Sequence, residues 1–184
     1  MNPVMDLSHF TLLARVPVRA SRDNQQEISL DNKTSISPEE AFYEPPRTTQ
    51  APRIGHINEL FCAEFLCDPK ENHERFIRQD RFLYVWQPQT LIASLEELTK
   101  SFCAEDALAI NLSTLYYLLL RQAKGTKGPF QVNGERNTLF VQAVSGKILN
   151  VAVCWENEGW SLLAYDLSDA DQLRWACTDH LLLP

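Results

Sequence analysis

Apolar residues recur at helical spacing through the middle of the chain and at alternate positions after Gly128. In TLIASLEELTKSF, Leu91, Ile92, Leu95, Leu98 and Phe102 fall on one side of a helix, while Glu96, Glu97 and Lys100 point elsewhere. The next stretch, EDALAINLSTLYYLLLRQAKG, opens on Glu105 and Asp106 and closes on Arg121 and Lys124 before Gly125, so its charges complement a helix dipole at both ends. Its second half is apolar almost all round. That predicts a central buried helix, antiparallel to its predecessor across the short Cys103-Ala104 junction.

Beyond Gly128, TLFVQAV, ILNVAVCW and WSLLAYDL are rich in β-branched and aromatic residues and are separated by SGK and NEG, both suited to hairpin turns. With the shorter PFQV they predict a four-stranded antiparallel meander. Within ILNVAVCW, Leu149, Val151, Val153 and Trp155 share one face and are expected to meet the helices, leaving Ile148, Asn150, Ala152 and Cys154 on the other. A short SDADQLRW helix, capped by Ser168, then leads to a final HLLLP strand. The pattern reads as α+β: a helical N-terminal and middle half packed on one face of a C-terminal antiparallel β-meander.

Residues 1–55 differ from the rest. TLLARVPVRAS offers one strand-like apolar run, a polar stretch follows, and the prolines of YEPPRTTQAPR oppose regular structure. One short helix is expected at SPEEAF, with Ser37 as cap and Pro38 at the first helical position. The division is therefore an extended or partly ordered arm with a proline-rich linker over 1–55, and a single α+β domain over 56–184. The arm either packs along the domain as edge structure or folds onto a partner through Leu12, Leu13, Val16 and Val18.

Composition narrows the class of protein. With 184 residues, 45% hydrophobic and 22% charged, the chain can bury a core without staples. A formal net charge of −7 opposes any general affinity for phosphate backbones or anionic membranes. The five cysteines are odd in number and widely spread, which argues for reduced thiols and a cytoplasmic setting. LYYLLL, the most apolar run, is too short to span a bilayer, and no apolar core of a signal peptide follows a basic start.

Candidate chemistry begins with CAEFLCDPKENH, where Cys62, Cys67 and His73 form a nominal metal set. Five positions separate the two thiols, which places them about 140° apart around one helix. Asp68 and Pro69 instead read as the start of a new helix, with Glu71 completing a capping box. Downstream, HERFIRQDRFLYVW carries Arg75, Arg78, Arg81, Tyr84 and Trp86, and arginine beside aromatics is the composition of binding hot spots and of base-stacking surfaces. The opposing reading pairs Glu74 with Arg78 on a solvated face and places the aromatics in the core.

A thiol nucleophile needs a base within hydrogen-bond reach, and His180 is the candidate base for Cys154 or Cys177. The alternation of NVAVCW makes Cys154 equally an ordinary strand residue. VNGE and KGTKG are turn sequences rather than phosphate loops, and no cofactor motif is present. The sequence thus predicts a non-enzymatic protein-interaction module without a cofactor. The alternatives are a small cysteine-dependent hydrolase or transferase and, third, a nucleic-acid contact through the arginines. Another protein is the expected partner, and a sheet edge at HLLLP or PFQV either offers a homodimer contact or is covered by the arm.

Overall fold

A computed structural model of the chain describes residues 8–18, 42, 51–66, 81–92, 94–102, 108–143, 145–169 and 174–184. The described residues build one eight-stranded mixed sheet. In chain order its strands are β1 (Phe10–Val18), β2 (Ile54–Ile57), β3 (Arg81–Pro88), β4 (Ala109–Asn111), β5 (Asn137–Gln142), β6 (Ile148–Glu156), β7 (Gly159–Asp166) and β8 (His180–Leu183). Across the sheet the order is β1-β3-β8-β5-β6-β7-β2, with β4 also paired to β5. Four pairings are antiparallel and three, β2 with β7, β4 with β5 and β5 with β8, are parallel.

The helices are short. α1 (Glu59–Phe61) runs directly into a π-helical turn (Cys62–Leu66), α2 spans Leu95–Phe102, and α3 spans Leu112–Arg121. The protein is therefore mostly β, and the expected helical half packed on one face of a meander is overturned.

The physical reason lies in ALAIN. Its apolar residues fit either period, and pairing Ala109, Ile110 and Asn111 with Phe140, Val141 and Gln142 satisfies their backbone groups in the sheet. Asn111 then caps α3, its side-chain oxygen accepting from Thr114 N at 2.9 Å. α2 begins at Leu95 because Ser94 Oγ accepts from Glu97 N, so Leu91 is left exposed and Ile92 bridges Trp175 instead. The expected antiparallel helix pair does not form. Leu98 of α2 belongs to a smaller cluster with Phe140, Trp175, Leu181 and Leu183, whereas Leu115, Leu118 and Leu119 of α3 belong to the larger one with Leu149, Val151 and Val153. With β4 lying in the sheet between them, the two helices cover opposite faces. We call these the first face (α3) and the second face (α2).

Within the β5–β7 hairpins the alternation of the sequence holds. Leu149, Val151 and Val153 are buried on the first face, and Trp155 packs beside Trp160 with ring centroids 4.9 Å apart. The NEG turn places Asn157 and Glu158 at positive φ, 49° and 62°, as a tight hairpin turn demands. PFQV is not a strand: Phe130 N donates to Gln122 Oε1, and Gln131 N donates to Asn137 Oδ1, so side chains replace a ladder. β8 is interior, flanked by β3 and β5, which removes the free edge expected at HLLLP.

Neither IGHI nor AIN is expected as a strand from the sequence, whereas the strand-like run of the arm, packed along the domain as edge structure, is one of the two expectations for that segment. IGHI forms β2 along β7, and Asn58 fixes the exit from it by accepting from Phe61 N and Ala164 N while donating to Ala164 O. Phe10–Val18, from the expected arm, forms the terminal strand beside β3. The SPEEAF helix lies outside the described residues apart from Phe42, which is buried against Phe61 and Tyr116. Residues 170–173, the middle of the SDADQLRW helix, also lie outside them. No helix among the described residues is long and apolar enough to cross a membrane.

Candidate functional site

The β1–β3 ribbon follows the period of two. Leu83 and Val85 belong to the first-face core, so Phe82, Tyr84 and Trp86 project from the second face. Their partners across the ladder are Pro17, Arg15 and Leu12. The register shifts between Leu12 and Ala14, leaving Leu13 as the extra residue of a bulge.

The Arg15 guanidinium carbon stands 3.4 Å from the centroid of the Phe82 ring and 5.9 Å from that of Tyr84. Tyr84 and Trp86 follow with centroids 6.4 Å apart. Three aromatic rings therefore form a ladder with a cation stacked at its outer end. Trp86 anchors the inner end by packing against the second-face cluster. Leu12 is 49% exposed and Phe82 41% exposed, and Leu13 beside them is exposed as well.

Strand addition along β1 is restricted. Pro17 has no N–H to donate, its carbonyl accepts from Arg121 Nη1 at 3.1 Å, and the bulge interrupts the middle of the strand. The exposed apolar surface of the ribbon is therefore its aromatic second face rather than a bare edge.

The other candidate residues are placed as follows. Arg81 begins β3 opposite Val18. Arg75, Arg78, Cys67 and His73 lie outside the described residues, as does Asp68. Cys62 is half-buried in the π-helical turn, and no group of three metal-ligating side chains occurs among the described residues.

Cys154 and His180 are not brought together. Cys154 alternates with Val151 and Val153 and so belongs to the second face, whereas His180 alternates with Leu181 and shares the side of Leu182, a first-face residue. Burial, reinforced by Glu156, pushes the Cys154 thiol up to about 11, away from the thiolate that nucleophilic attack requires. Burial also lowers the pKa of His180, against the opposing effect of Asp179. Cys177 is exposed, and its thiol donates to Gln89 O at 3.3 Å.

Trp86 and Tyr84 are singled out in the sequence, and strand pairing and alternation place Arg15 and Phe82, which are not, beside them. The signal for Phe82 was present in the F-x-Y-x-W alternation. Arg15 reaches it only through pairing of strands far apart in the chain.

No family model matches the chain, and comparison with curated proteins and with solved structures returned no significant match.

Proposed function

We propose that the protein is an interaction module that docks another protein on the second face of the β1–β3 ribbon. The observation that carries this is Arg15 stacked on the exposed Phe82 ring, in line with Tyr84 and Trp86 and beside exposed Leu12. Aromatic and arginine side chains are enriched where binding energy concentrates: the rings bury much area for little lost rotamer freedom, and the guanidinium adds stacking and a forked set of donors. Trp86, rooted in the core, supplies rigidity; Phe82 and Leu12 supply apolar area. The surface suits an apolar protein segment with a carboxylate placed to meet Arg15.

A photo-reactive residue placed at Phe82 is the test. Cross-linking to one protein from Phe82, and not from the exposed Val132, supports the reading; equal cross-linking from both removes its basis.

One observation favours a second reading. Rings on alternate strand positions with an arginine beside them also form a stacking platform for single-stranded bases. The net charge of −7 works against it. Binding of a fluorescent single-stranded oligonucleotide that weakens with salt and with Phe82→Ala would favour this reading over the first.

A further inference from the structure

On the first face Asn137 and Gln122 are well partnered, and His180 Nδ1 is the one buried polar atom there without a hydrogen-bond partner among the described residues. Asn137 donates to Gln131 O and Val153 O, and Gln122 Nε2 donates to Thr126 O and Phe130 O. On the second face Thr138 Oγ1, both side-chain polar atoms of Asn150, and Trp175 Nε1 are buried without any hydrogen-bond partner. These atoms surround one ring. Phe140 lies two residues from Thr138 on β5, directly opposite Asn150 on β6, with its centroid 6.2 Å from that of Trp175. Thr138, Asn150 and Trp175 are each 0% exposed.

Trp175 brings the segment Arg174–Asp179 against Phe140 in this strip, and Arg136 Nη2 donates to Arg174 O as well as holding the segment's other end. Trp175 and Ile92 exchange two backbone hydrogen bonds of 3.0 Å. Gln87 Nε2 donates to Cys177 O and Gln131 Nε2 to Thr178 O. At the far end Asp179 Oδ2 accepts from Arg136 Nη2 at 2.7 Å and from Ala176 N at 2.8 Å. Closure is thus held by a polar rim and opposed by the lost hydration of the atoms beneath, a cost that opening the segment to water restores.

We propose that Arg174–Asp179 is a lid, latched by Asp179 on Arg136, which opens locally over the polar strip of Thr138 and Asn150. Two variants move the balance in opposite directions. Asp179→Asn weakens the charge-assisted latch. Thr138→Val removes an unpartnered hydroxyl from beneath the lid while keeping its shape.

Native-state hydrogen exchange of the full chain reads the result. The Ile92 and Trp175 amides, bonded to each other, are expected to exchange well before those of Leu139 and Val151 in the core strands. Asp179→Asn should speed the first pair about tenfold, and Thr138→Val should slow it by about three- to tenfold, with the core pair no faster in either. Exchange of Ile92 and Trp175 in step with Val151 would overturn the proposal, because release would then require global unfolding. So would Thr138→Val leaving the lid amides unchanged or faster. Should Asp179→Asn fail to fold, the Thr138→Val result decides alone.

Discussion

Arg15 and Phe82 stack with the guanidinium carbon 3.4 Å from the ring centroid, tying the first strand to the third by side chains as well as by backbone. A cation over an exposed ring contributes about 0.5–1 kcal/mol. A double-mutant cycle with Arg15→Ala and Phe82→Ala should therefore return a coupling of that size by denaturant unfolding. Coupling within error of zero would mean that the stack adds nothing to the fold.

Asn58 joins β2, α1 and β7 through three hydrogen bonds. Asn58→Ala removes a helix cap and two bonds to the Ala164 backbone, and should cost about 2–3 kcal/mol. Asn58→Ser keeps an oxygen able to cap Phe61 N and sets no charge against Ala164 O, so its loss should be smaller. Urea unfolding of the two variants checks the order.

His180 gives stability a pH dependence. Burial lowers its pKa in the folded protein below the ordinary 6.5. The unfolded chain then binds the proton first, so stability is complete above about pH 6.5 and declines as the pH falls from there through the folded value. Unfolding midpoints between pH 7.5 and 5.5 should fall in the wild type and fall less in His180→Gln.

Cys154 should be slow towards alkylating agents, since burial pushes its thiol up to about 11. Iodoacetamide at pH 8, followed by peptide mapping, should label exposed Cys177 before Cys154. Rapid labelling of Cys154 at pH 7 would revive the cysteine-enzyme alternative.

The parts of this fold that are local were legible. The β5–β7 hairpins carry their register in alternation and their turns in SGK and NEG, so the burial of Leu149, Val151 and Val153 follows from the sequence. The parallel pairings were not. β8 inserts between β3 and β5, and β4 lies along β5, because distant backbone groups meet there, and nothing in HLLL or AIN announces those partners. The misread of ALAIN as helix then carried α2 and α3 to the same face. The candidate site divides in the same way: Tyr84 and Trp86 show in the alternation of β3, whereas Arg15 joins them only through the β1 pairing.

The most direct test of the ribbon as a docking face compares recovery of the cross-linked partner by wild-type protein, the double variant Leu12→Asp with Phe82→Glu, and Val132→Glu. Thermal midpoints are measured alongside to establish that each is folded. The account predicts that Leu12→Asp with Phe82→Glu loses the partner at least tenfold while Val132→Glu retains it. Equal recovery by a folded Leu12→Asp, Phe82→Glu protein would contradict it.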